Sequence, residues 1–161
     1  MEEITAPGVV EIGDEAFYGC GSLMETDIFT SVEVLGDSAF YGCTNLTEVV
    51  LPETLSSMGE SCFENCTILK RVVIDGTING ISRYCFYGCR TLSEVVFQDS
   101  LAKSSSIKGI GVRAFGNCTS LERLDLSAQS GLEVMGARTF EGCVNPVSYT
   151  HLRAHETRHD L

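Results

Sequence analysis

Residues 46–69 read LTEVVLPETLSSMGESCFENCTIL. At the start of this stretch Val49 and Leu51 alternate with Glu48 and Val50, the pattern of a strand with one face buried. Leu55 and Met58, three apart, then close on Gly59. Phe63 and Cys66, also three apart, are followed at the same interval by Leu69. This order recurs along the chain. Phe-x-x-Cys occurs six times, at Phe17/Cys20, Phe40/Cys43, Phe63/Cys66, Phe86/Cys89, Phe115/Cys118 and Phe140/Cys143, with successive phenylalanines 23, 23, 23, 29 and 25 residues apart. Leu23, Leu46, Leu69, Leu92 and Leu121 follow the first five cysteines. Before each phenylalanine an apolar pair ends on Gly or Ser: Val9/Ile12, Val32/Leu35, Leu55/Met58, Ile78/Ile81, Ile107/Ile110 and Leu132/Met135. Self-similarity at this period marks a solenoid in which each unit is one coil and adjacent coils bury each other's apolar side.

Units of 20 to 29 residues with leucine-led strands are those of leucine-rich repeats. Val49 and Leu51, Val72 and Ile74, Val95 and Phe97, and Leu124 and Leu126 point inward, and stacking pairs the strands as a parallel sheet. DEAFYGC (residues 14–20) and DSAFYGC (residues 37–43) open on an acidic residue and keep a small alanine beside the phenylalanine, which suits a single tight helical turn. The Ser/Lys-rich SLAKSSSIKG of residues 100–109 reads as a surface loop. The expected fold class is α/β: a right-handed leucine-rich-repeat solenoid of six coils, strand-rich, with a parallel sheet and short single-turn helices. At about 4.8 Å per coil the rod is roughly 29 Å long.

The 46–69 unit, with LSEVVF (92–97) and IGDEAFYGCGSL (12–23), resembles the BspA-like leucine-rich repeats, over roughly residues 4–143. That resemblance implies a cell-surface or secreted protein whose solenoid serves adhesion or binding without catalysis.

The chain has 161 residues and a formal net charge of −11, and 43% of its residues are hydrophobic. A polyanion repels nucleic-acid phosphates and an anionic membrane surface, so neither is an expected partner. No apolar run approaches the roughly 18 residues needed to span a bilayer. The opening MEEITAPG has no basic and apolar signal regions. Eight cysteines raise the question of disulfides or metal. Cys20, Cys43, Cys66, Cys89, Cys118 and Cys143 hold one equivalent place per coil, while Cys62 and Cys85 stand where Ala16, Ala39 and Ala114 stand elsewhere. A position that takes alanine or cysteine is filled by a small buried side chain, so the expectation is a ladder of reduced thiols. The alternative, a four-thiolate zinc site from Cys62, Cys66, Cys85 and Cys89, has C-x3-C spacing in its favour.

After Cys143 the repeat stops. The tail holds all three histidines, His151, His155 and His159, and HETRH (155–159) fits the H-E-x-x-H zinc pattern of a metallohydrolase. Only Asp160 and Leu161 follow it, leaving no later residue to serve as a third ligand. From Val147 through Thr157 the tail is similar to the translation of a sequencing adapter. The expected organisation is a solenoid over 1–145, a fragment without its cap, and a non-native or disordered tail over 146–161. No cofactor or metal is expected.

Side chains between the inward pairs face outward: Asp27, Val50, Val73, Val96 and Asp125. Beside them run Glu25, Glu48, Arg71, Glu94 and Arg123, in which Glu48, Arg71, Glu94 and Arg123 alternate in sign and can pair across strands. Phe29, Pro52, Asp75, Gln98 and Ser127 form the other flank. An apolar strip of Val50, Val73 and Val96 edged by Glu48, Arg71, Glu94 and Arg123 is the candidate protein-binding surface, for a host or matrix protein or another copy. The alternatives are a spacer repeat in a larger surface protein and, more remotely, a zinc-dependent hydrolase through HETRH.

Overall fold

The computed structural model describes residues 8–24, 30–75, 77–98, 107–126, 129 and 131–144. The tail with its three histidines, the flank positions Glu25, Asp27, Phe29 and Ser127, and most of the 100–109 insertion lie outside these residues. Among the described residues the strands are β1 (Glu11–Ile12), β2 (Val34–Leu35), β3 (Glu48–Leu51), β4 (Ser57–Met58), β5 (Arg71–Ile74), β6 (Gly80–Ile81), β7 (Glu94–Phe97), β8 (Gly109–Ile110), β9 (Arg123–Leu124) and β10 (Val134–Met135). They are two residues long except β3, β5 and β7, which have four. All pairings are parallel.

One side of the solenoid is the four-stranded sheet β3-β5-β7-β9, in which Val49, Val72, Val95 and Leu124 share one register row and Leu51, Ile74 and Phe97 another. A second side carries the short strands as two separate sheets, β1-β2-β4 and β6-β8-β10. Six phenylalanines separated by five intervals make about five turns. The architecture is thus a parallel-strand β-solenoid.

Between each short strand and the following leucine the expected helical turn does not form, and among the described residues there is no helix. The fold is therefore not α/β. Two left-handed residues per coil prevent helix: Glu15 (φ 55°), Ser38, Ser61, Tyr84, Arg113 and Arg138 two places before the phenylalanine, and Gly19 (φ 68°), Gly42, Asn65, Gly88, Asn117 and Gly142 two places after it. A right-handed helix cannot pass through either position. Alternate amides instead bond in two directions. In the first coil, Ala16, Tyr18 and Cys20 donate three residues back, while Glu15, Phe17 and Gly19 donate to the Asp37, Ala39 and Tyr41 carbonyls of the next coil. The short-range pattern of DEAFYGC looked helical because half of its amides do make i→i−3 bonds. The other half are claimed by the neighbouring coil.

The core is a set of columns. Phe17, Phe40, Phe63, Phe86, Phe115 and Phe140 stack with centroids 5.0 to 5.7 Å apart and planes within 10° of parallel, which at this spacing is offset stacking. Phe40, Phe63, Phe86 and Phe115 are fully buried, as are Leu46, Leu69, Leu92 and Leu121, whereas Phe17 and Phe140 in the end coils are half-buried. Thr139 occupies the alanine/cysteine column and satisfies its hydroxyl by donating to the Gly136 carbonyl at 2.6 Å. Fully burying an aliphatic or aromatic side chain of this size contributes about 1.5–3 kcal/mol, so the repeated columns dominate stability.

Candidate binding face and thiol ladder

Because β3, β5, β7 and β9 pair without a register shift, the residues that alternate with the inward rows also align across the sheet. Glu48, Arg71, Glu94 and Arg123 form one row, and Val50, Val73 and Val96 the next. Arg71 lies between two carboxylates, with Nη1 2.7 Å from Glu48 Oε1 and Nε 3.1 Å from Glu94 Oε2. Arg123 Nη1 reaches Glu94 Oε1 at 3.3 Å. Hydrogen bonds to Glu48, then to Glu94, raise the Arg71 pKa further. The row is exposed, so salt weakens it, and its charges are largely spent on one another.

The valine row departs from the expectation that all three members are accessible. Val50 is 50% exposed, Val96 is half-buried and Val73 is only 3% exposed. Val73 does not join the core. It lies on the central strand, between Val50 and Val96 on the two adjoining strands, and its side chain is enclosed. The accessible apolar surface is therefore centred on Val50, beside half-buried Pro52. On the other flank Asp75 is half-buried, while Gln98 is exposed, as is Asp125 in line with the valines.

The cysteine column is internal. Cys43, Cys66, Cys89, Cys118 and Cys143 each donate a thiol hydrogen bond to the carbonyl of a phenylalanine one coil earlier, at 3.1–3.2 Å. Burial pushes Cys43 up to about 11 and Cys85 up to about 12. It raises Cys62, Cys66, Cys89, Cys118 and Cys143 as well. Such thiols hold their protons in the metal-free chain. Cys62, Cys66, Cys85 and Cys89 are not gathered into a site for zinc. Among the described residues no group of three or more His, Cys, Asp or Glu side chains is placed to hold a metal ion. Cys20, in the first coil, is exposed.

Further polar columns, absent from the apolar repeat pattern, lie on the turn side. Asp14 Oδ1 accepts the Asp37 amide and Asp37 Oδ1 accepts the Glu60 amide, each at 2.7 Å. Arg83 Nε then meets Glu60 Oε2 at 2.6 Å. The Tyr18 and Tyr41 rings stack at 4.7 Å. Asn65 and Asn117, the two left-handed asparagines, donate to the Tyr41 and Tyr87 hydroxyls at 3.0 and 2.8 Å. The signal for them is the residue two places after each phenylalanine, which is always Gly or Asn, the residues that tolerate positive φ. An open cleft of about 380 Å3 lies on the short-strand side, bordered by Ser57, Met58, Asn79, Gly80, Ser82 and Gly109.

Comparison with known proteins identifies the repeat. Residues 10–146 match the BspA type leucine rich repeat region in six copies. The chain is similar in fold to a leucine-rich repeat protein from Eubacterium ventriosum, at a TM-score of 0.57 and 23% identity over 80% of this chain and 38% of that one. Weaker likenesses are to the T. pallidum leucine rich repeat protein (TM-score 0.44, 26% identity, covering 86% of this chain and 51% of that one) and to a leucine rich cell surface protein from Faecalibacterium prausnitzii (0.41, 17%, 88% and 52%). The chain spans well under two thirds of the length of each. No curated protein matches it. The six-copy match over residues 10–146 shows that this chain belongs to the BspA-type leucine-rich repeat family.

Proposed function

We propose that this chain is a non-enzymatic, protein-binding segment of a cell-surface or secreted leucine-rich repeat protein. The observation that carries the reading is the long-strand sheet, held in strict register and presenting exposed Val50 beside the row Glu48, Arg71, Glu94 and Arg123. A rigid parallel sheet with an accessible apolar side chain beside a charged row has features of a protein-contact patch. The family resemblance supports the placement at a cell surface. The ligand class that fits is a folded protein surface, a host or matrix protein or a second copy, bound weakly at each site and gaining strength through multiple contacts.

The internal pairing of Glu48, Arg71, Glu94 and Arg123 favours a second reading, a spacer repeat, because it leaves few charges free for a partner. One experiment separates the two. Surface plasmon resonance of the parent and Val50→Glu chains over a panel of matrix proteins, with sedimentation of each chain alone, reads both ligand binding and self-association. Val50 is exposed, so the variant folds. The binding reading expects at least one interaction of the parent to weaken by about tenfold or more. Indistinguishable behaviour of the two chains supports the spacer.

A further inference from the structure

The residue that follows each short strand is Gly13, Gly36, Gly59, Ser82, Gly111 or Gly136. In this column a side chain would run into the backbone of the preceding coil. A Cβ added at Gly59 would sit 2.4 Å from the Asp37 nitrogen, and one at Gly111 2.4 Å from the Arg83 nitrogen, distances that real Cβ atoms do not show. Gly13, in the first described coil, meets nothing within 4 Å. Glycine is present here because the coils could not otherwise close to hydrogen-bonding distance.

Ser82 is the one exception, and the sheet is interrupted at its position. At the other junctions the glycine amide donates to the last residue of the previous short strand: Gly36 to Ile12, Gly59 to Leu35, Gly111 to Ile81 and Gly136 to Ile110, all at 2.7–2.8 Å. Between β4 and β6 no ladder pairing forms, and the short strands divide into the sheets β1-β2-β4 and β6-β8-β10 at this point. The Met58 carbonyl accepts instead from the Ser82 hydroxyl at 2.6 Å. The cleft crosses the same junction, with Met58 and Ser82 in its lining, and continues over Gly109, Gly111 and Val134 of the following coils. Across the same pair of coils the long strands β5 and β7 keep all four register pairs, and Phe63 still stacks on Phe86 at 5.5 Å. The coils are parted on the short-strand side and held together elsewhere.

We propose that the Ser82 side chain is a wedge that makes the junction of the third and fourth coils a hinge in the rod. Its Cβ keeps the two short strands from closing, and its hydroxyl supplies the bond nearest the parted strands, backed on the turn side by Arg83 Nε to Glu60 Oε2 at 2.6 Å and by the Ser61 amide to the Arg83 carbonyl at 3.1 Å. Flexing at this junction changes the curvature of the long-strand sheet between β5 and β7, and leaves the coils on either side intact as rigid blocks.

Backbone amide exchange on the full chain, with the variants Ser82→Gly and Ser82→Ala, tests this. In the parent the residue-82 amide should exchange about tenfold or more faster than the amides of Gly59 and Gly111. In Ser82→Gly it should slow to their level as β4 and β6 zip together. Ser82→Ala keeps the wedge and removes the tether, so exchange at residues 57–58 and 80–82 should quicken while residues 71–74 and 94–97 stay protected. Equal protection of the residue-82, Gly59 and Gly111 amides in the parent overturns the proposal. So does a Ser82→Gly chain in which the residue-82 amide stays as fast as in the parent.

Discussion

The Cys66 thiol donates to the carbonyl of Phe40, 26 residues earlier, at 3.2 Å, and both residues are fully buried. The bond ties one coil to the next from inside the rod. Cys66→Ala removes both the sulfur and the donor, and should cost about 1–3 kcal/mol in urea unfolding. Cys62→Ala should cost distinctly less, because Ala39 and Ala114 already fill that column in other coils without exposure. Equal losses would show that the thiol bond contributes nothing beyond volume.

The phenylalanine column makes a positional prediction. Phe63 is fully buried between Phe40 and Phe86, at 5.2 and 5.5 Å. Phe63→Ala should destabilise by about 3–5 kcal/mol, the usual cost of emptying an aromatic core site. Phe140 is half-buried and has one described ring neighbour. Phe140→Ala should lower the unfolding midpoint by clearly less.

The buried thiols set a limit on the alkaline side. Burial raises Cys43 from 9.0 to about 11 and Cys85 from 9.0 to about 12 in the folded chain. The unfolded chain therefore loses these protons first as pH rises. The stability the thiols contribute is fully present below pH 9 and is lost progressively above it, until the folded thiols themselves ionise near 11–12. Each thiol ionised only in the unfolded state lowers stability by about 1.4 kcal/mol per pH unit. Urea midpoints measured between pH 8 and 11 should fall steeply above 9, and less steeply in Cys85→Ala.

Much of this architecture was legible in the letters because a column is written as a repeat. The inward rows of the long strands, the six phenylalanines and the internal thiols follow from spacing alone. Two features did not follow. The DEAFYGC turn carries helix-compatible residues, and only the bonds from Glu15, Phe17 and Gly19 to the next coil divert it from a helix. Those are contacts 22 residues away that no local pattern records. The exposure of the valine row was also misjudged at Val73. Strand alternation tells which way a side chain points, and neighbours decide whether solvent reaches it.

The glycine column provides a steric prediction. At Gly59 an added methyl has the backbone of Gly36 and Asp37 against it, at 2.4 Å. Gly59→Ala should cost about 1–3 kcal/mol, as overpacking does. Gly13→Ala, with open space around the added carbon, should stay within about 0.5 kcal/mol of the parent. Thermal unfolding of the two variants side by side gives the comparison.

Side chains of one kind pile up along the interior of the coil, and proton NMR on a chain labelled only at phenylalanine rings reads that directly. Cross-relaxation should link the rings in chain order, Phe17 to Phe40, then Phe63, Phe86, Phe115 and Phe140, at the 5.0–5.7 Å centroid spacing of a single stack. A spectrum in which Phe63 shows no ring contact with Phe40 or Phe86 would contradict it.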